Sequence, residues 1–171
     1  MNTNFIRLLC YFILLILMQD MVVDKLPLGT YIRPEIYTLF ILLLPFNYPP
    51  ISMLGWAFAL GLGIDIFSMD IIGLHTAALL VLAYVRPRLL KLVSPKDDME
   101  SIATPSYHNL GWRSFIIYVM LSIAIYNTVL FILDTFSFHN FFHMLLRIIS
   151  STLATTFFII LIQVAFISKR R

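Results

Sequence analysis

One cysteine in 171 residues, Cys10, excludes any intrachain disulfide, and it lies inside an apolar run with no second thiol to share a metal. Charge is scarce too. Charged side chains make up 12% of the chain and hydrophobic ones 60%, with a mean hydropathy of +0.91. A soluble domain has about 25% charged and about 45–50% apolar residues, so the shortage predicts an integral membrane protein. The net charge of +3 is modest, and no patch interleaves basic and aromatic residues as nucleic-acid binding requires. Phosphate-cradling glycine loops, nucleophile elbows and zinc-protease signatures are all missing. No internal repeat or low-complexity segment is present, and no polar stretch is long enough to hold a soluble domain between the apolar runs. One integral membrane domain over residues 1–171 is the expectation.

What the chain does have is long apolar runs, and they predict an all-α polytopic bundle of six spans, at about 5–23, 31–47, 51–67, 73–93, 115–133 and 144–167. The first ends at Gln19, Asp20 and Asp24 without a small-residue cleavage pattern, which predicts a retained helix. Pro27, Gly29 and Pro34 then prevent regular helix. The second apolar core, Ile36 to Phe46, is only eleven residues long. Lengthening it to 31–47 puts Arg33 and Glu35 at the interface. With the run after Asn47-Tyr48-Pro49-Pro50 it forms either a spanning pair or a re-entrant hairpin. In the fourth span Pro87 predicts a kink, and Arg86, Arg88 and Lys91 are expected to snorkel to headgroups. Ser94 to Trp112 reads as a polar loop. With both termini cytoplasmic, Arg7, Arg86, Arg88, Lys91, Lys96, Arg113, Lys169, Arg170 and Arg171 lie inside, against Lys25, Arg33 and Arg147 outside or near the outer end. Nine against three satisfies the positive-inside rule.

The stretch Gly55 to Lys96 is the most informative. A helix carrying Gly55, Gly61 and Gly63 holds one carboxylate, Asp65, and is followed by a short turn and a helix that opens at Gly73. A charge in an apolar helix is costly, so Asp65 must be paired or hydrated, and Arg147 at similar depth is the expected partner. Intramembrane aspartyl proteases use Gly-x-Gly-Asp, but Ile64 intervenes here. Asp134, the other carboxylate near a helix end, lies in no motif, so no catalytic dyad is expected. The glycines give a narrow face for close helix packing without forming G-x-x-x-G. His139 and His143 have i, i+4 spacing but no third ligand, so no metal site is expected. His75 is expected to cap its helix or face headgroups. Asn127 and Gln163 are expected to hydrogen-bond between helices. No catalytic residue and no cofactor is expected.

Two stretches together resemble the MreD family of bacterial rod-shape (elongation) proteins. One is Arg33-Pro34 followed by an apolar run to Pro45. The other is Gly61 to Tyr84: Gly-rich helix, Asp65, a Phe-Ser turn, Gly73-Leu74 opening the next helix, and Ala83-Tyr84 near its end. Total length and the basic end of the chain also suit the family, and the detailed match covers roughly a third of the sequence. The resemblance implies a multi-pass inner-membrane scaffold, not an enzyme, that binds the bitopic subunit MreC. Through MreC it would be linked to the filament protein MreB, to RodA and to a penicillin-binding transpeptidase. It also implies a fold like the substrate-binding S components of energy-coupling-factor vitamin transporters. An S component is therefore the alternative, against which stands a first helix lacking the small-residue Ala-x-x-x-Ala pattern.

Overall fold

The computed structural model describes residues 3–19, 21, 25, 32–68, 71–94, 104–135 and 141–167. Seven helices are present among them: α1 (Thr3–Met18), α2 (Thr38–Leu42), α3 (Pro50–Phe67), α4 (Leu74–Val93), α5 (Tyr107–Leu110), α6 (Trp112–Thr135) and α7 (Phe141–Ile167). No strand occurs among the described residues. Three helices, α3, α6 and α7, are long and apolar enough to cross a membrane. This is an all-helical membrane protein.

Helix starts and stops follow local chemistry. Proline at Pro50 occupies the first turn of α3, where its missing N–H is not needed. Gly73 precedes α4 with φ +98°, a conformation that side chains disfavour. Pro87 sits inside α4, yet the helix continues to Val93. α4 is central. It packs against α3 on one side and α6 on the other, and α7 packs chiefly on α6. α1 lies against α3 and α2.

α7 is apolar outside and largely polar inside, the reverse of a helix in a soluble protein, while α3, α4 and α6 bury polar side chains among apolar ones. On α7 the buried face carries Ser151, Thr152, Thr155, Thr156, Ile159 and Gln163, while Leu146, Ile149, Leu153, Phe157 and Leu161 are exposed. On α6, Ser122, Tyr126 and Asn127 are buried, and Ile117, Leu121 and Ile132 face out. Lipid is as apolar as leucine, so the side chains worth burying between such helices are those that hydrogen-bond.

The 31–47 stretch departs from a spanning helix. Its described part holds a single five-residue helix, α2, every residue of which is buried. Residues 32–35 ahead of it are not helical. The other run of the pair, α3, is long and apolar enough to cross a membrane. Pro34 and Pro45 bracket the segment and limit its length, since neither can extend a helix from its N-terminal side. The expectation that Glu35 sits at the interface is corrected: Glu35 is buried. α1, sixteen residues long, covers the first apolar run from Phe5 to Met18.

Candidate functional site

Non-helical backbone buried among apolar helices must find partners, because no water is present to serve it. The 32–36 segment finds them on Gln19, just past the end of α1, and on α7. The Arg33 N–H donates to Ser151 Oγ at 3.2 Å and the Glu35 N–H to Thr155 Oγ1 at 3.0 Å. The Ile36 N–H donates to Gln19 Oε1 at 3.0 Å, and Gln19 Nε2 returns a bond to the Pro34 carbonyl at 3.0 Å. Hydroxyls one turn apart on α7 thus serve alternate residues of an extended strand-like stretch, which matches the two-residue repeat of extended chain.

The far end of this insertion is held by α4 and α6. Arg86 is buried, contrary to the expected snorkelling. Its guanidinium donates to the carbonyl of Leu44, and more loosely to that of Leu42 at 3.4 Å and to Met53 Sδ at 3.5 Å. Tyr118 Oη also donates to the Leu42 carbonyl, at 3.1 Å. The last carbonyls of a helix are orphans and carry its negative dipole end, so an arginine there serves both needs. Arg88, by contrast, lies over the exposed Tyr84 ring, 4.7 Å from its centroid.

Asp65 performs the complementary task at the start of α4. Its Oδ2 accepts from the Gly73 N–H (2.8 Å), the Thr76 N–H (3.2 Å) and Thr76 Oγ1 (2.6 Å). Its Oδ1 accepts from the His75 N–H at 2.9 Å. The carboxylate is therefore a helix cap supplied by the preceding helix, set where the dipole favours negative charge. The expected pairing with Arg147 is not formed. Arg147 instead meets Asp134 at 3.6 Å and lies over the Phe131 ring, 4.6 Å from its centroid. The backbone N–H groups of α4 already satisfy Asp65, and Asp134 lies within reach of Arg147 at the α6–α7 end.

Gly61 makes the cap possible. A Cβ there would stand 2.3 Å from Thr76 Cα, so α3 and α4 touch backbone to backbone at the height of the cap. A Cβ on Gly63 would stand 3.1 Å from Ile16 Cδ1 of α1, and one on Gly55 would meet nothing. Gly61, Asp65 and Gly73 thus meet around the first turn of α4. Arg33 contributes its backbone N–H some distance away, against α7, and its side chain is exposed.

Next to the cap is a cluster that sequence reasoning missed. His75 is buried, not facing headgroups. Its Nδ1 lies 2.9 Å from Tyr37 Oη and 3.0 Å from Tyr126 Oη, and the two hydroxyls are 2.6 Å apart. Tyr37 Oη donates to Glu35 Oε2 at 2.5 Å, and that oxygen is 4.0 Å from His75 Nδ1. Glu35, Tyr37, His75 and Tyr126 come from α4, α6 and the segment entering α2. The one signal in the sequence was Glu35 itself, a carboxylate one residue from an apolar run.

Between α6 and α7, Asn127 Nδ2 donates to Thr152 Oγ1 at 3.0 Å, the expected inter-helix bond. Gln163 makes none: both its polar atoms are buried without a hydrogen-bond partner, as are Asn127 Oδ1, Ser122 Oγ and Thr156 Oγ1. Among the described residues no group of three or more metal-ligating side chains comes together. His143 is exposed at the start of α7, and His139 lies outside the described residues.

Fold and site together define an all-helical membrane protein in which Gln19, Asp65, Arg86, Ser151 and Thr155 serve its own backbone. The chain matches no family model, no curated protein and no solved structure.

Proposed function

We propose that the chain is a membrane scaffold subunit of the rod-shape (elongation) complex, of the MreD kind, and that it acts by binding rather than by catalysis. The observation that carries the reading is the Gly61–Tyr84 hairpin. The residues of the resemblance, Gly61, Asp65 and Gly73, converge on one structural task, the capping of α4. A carboxylate that accepts four hydrogen bonds at a helix N-terminus is suited to holding shape, not to proton chemistry on a substrate. On this reading the chain crosses the bacterial inner membrane several times, up to the six passes of the S-component-like fold, with both termini cytoplasmic. It binds the single span of MreC, and through MreC it meets MreB, RodA and the penicillin-binding transpeptidase. No cofactor takes part. Binding energy would come from lipid-facing side chains meeting another helix, and α1 and α7 offer the barest faces.

One observation favours the alternative, an S component: the polar cluster at His75 is the kind of lining a vitamin site needs. Its two hydroxyls and ring nitrogen, however, are turned on one another. Depletion in a rod-shaped host separates the two readings. The scaffold reading expects round cells and delocalised MreC that no nutrient corrects. Rescue by excess vitamin, with saturable uptake of a small solute, would sink it.

A further inference from the structure

Asp65, Glu35 and Arg86 are buried and have partners inside the bundle: the N–H groups of α4, the Tyr37 hydroxyl and two backbone carbonyls. Arg88 and Lys91 are placed differently. Both are exposed on α4, no Asp or Glu occurs in that helix, and neither meets a carboxylate among the described residues. One of the five N–H donors of Arg88 goes to Tyr84 Oη at 3.2 Å, and the guanidinium lies 4.7 Å from the Tyr84 ring centroid. The side chain is thus turned back along α4 and held on an exposed ring. Its other donors have no acceptor among the described residues.

Val81, Tyr84, Arg88, Lys91 and Leu92 are all exposed, and their positions fall within about 100° of one another on a helix. Their depth follows from α6. His75 of α4 meets Tyr126, and Arg86 shares the Leu42 carbonyl with Tyr118, so the two helices run antiparallel. Arg88 and Lys91 therefore come within about a turn of the start of α6, and α6 is apolar enough to cross a membrane from Trp112 onward. The two cations stand at the edge of the apolar slab, at the level of phosphates, with Tyr84 and Val81 on its apolar side. A guanidinium fork and an ammonium point charge one turn apart match the oxygens of one phosphate diester. The aromatic and aliphatic surface beside them suits an acyl chain, which free phosphate lacks. A zwitterionic headgroup brings its own ammonium to a pair of cations, whereas a headgroup of net negative charge answers them.

We propose that this face of α4 binds an anionic phospholipid, whose phosphate bridges Arg88 and Lys91 and whose acyl chain lies along Tyr84 and Val81. Tyr84 positions the guanidinium before the lipid arrives, so less side-chain freedom is lost on binding. The site is separate from the scaffold reading, which concerns the faces of α1 and α7, and the two stand or fall independently.

The test is native mass spectrometry of the full chain, titrated in detergent with phosphatidylglycerol or with phosphatidylcholine of the same acyl chains. The unmodified chain is expected to retain one phosphatidylglycerol about tenfold more tightly than phosphatidylcholine. Arg88→Gln and Lys91→Gln should each weaken phosphatidylglycerol about fivefold and leave phosphatidylcholine unchanged. Arg88→Lys keeps the charge but loses the fork, and should weaken it less than Arg88→Gln. Arg113→Gln is the control: it removes one charge from an exposed side chain at the start of α6 and should leave the preference as it is. No preference in the unmodified chain overturns the proposal without any variant needing to fold. Equal weakening by Arg113→Gln shows that net charge alone attracts the lipid, and overturns the site. Displacement of the lipid by an equal concentration of inorganic phosphate overturns the lipid as its ligand.

Discussion

Asp65 shows what a single charged side chain does when it is built into an apolar helix. Left alone it would cost several kcal/mol, and the structure removes that cost with three backbone N–H groups and one hydroxyl. Asp65→Asn keeps one acceptor oxygen but turns an NH2 toward a donor, so a loss of about 1–3 kcal/mol is expected. Asp65→Leu removes every acceptor and strands the first N–H groups of α4, for a loss on the order of 3–5 kcal/mol. Thermal unfolding in detergent should therefore rank unmodified above Asn above Leu. Equal losses, or a folded Leu variant with an inactive Asn variant, would mean the charge has a task beyond the cap. That Asp65 needed a partner was legible in the sequence, because the cost is intrinsic to the residue. Which partner was not legible: backbone N–H groups are the same at every position, and only the close approach at Gly61 brings those of residues 73–76 to it.

Over residues 32–35 the chain is neither helix nor turn, and its stability is on loan from its neighbours. Ser151 and Thr155 of α7 each accept from one of its amides. Ser151→Ala and Thr155→Val should each strand a buried N–H, at about 1–3 kcal/mol, and speed hydrogen exchange at residues 33–38. Thr156→Val is the control. Its hydroxyl is buried without a hydrogen-bond partner, so exchange at 33–38 should not change. Acceleration in the control as well would show that α7 is merely loosened. The other end of the insertion depends on Arg86, which the sequence placed at the headgroups with its basic neighbours. Arg86, Arg88 and Lys91 read alike as letters. Residues 86 and 88 face about 200° apart on a helix, and only the first meets the carbonyls of Leu42 and Leu44.

At the scale of the whole molecule the remaining question is which way the bundle sits. Burial of Arg86 takes it out of the cytoplasmic count, leaving eight basic residues against three. The orientation with both termini inside therefore keeps its support. With Cys10 replaced by serine, a single cysteine at Ser101 should resist an impermeant thiol reagent added to intact cells, and one at Ser137 should react. Both positions lie outside the described residues. The opposite labelling pattern would invert the topology.

Composition and hydropathy alone determined that this is a helical membrane protein, because the cost of exposing or burying each side chain in lipid is a property of the residue. They also marked Asp65 as a charge in need of a partner. The inward and outward faces, the short buried helix α2 in place of a span at 31–47 and the meeting of Glu35 with His75 were decided by tertiary structure. Hydropathy counts how apolar a segment is but not what lies beside it. A buried polar group is stable only by virtue of neighbours that the chain brings from forty or ninety positions away, as His75 and Tyr126 are brought to Tyr37.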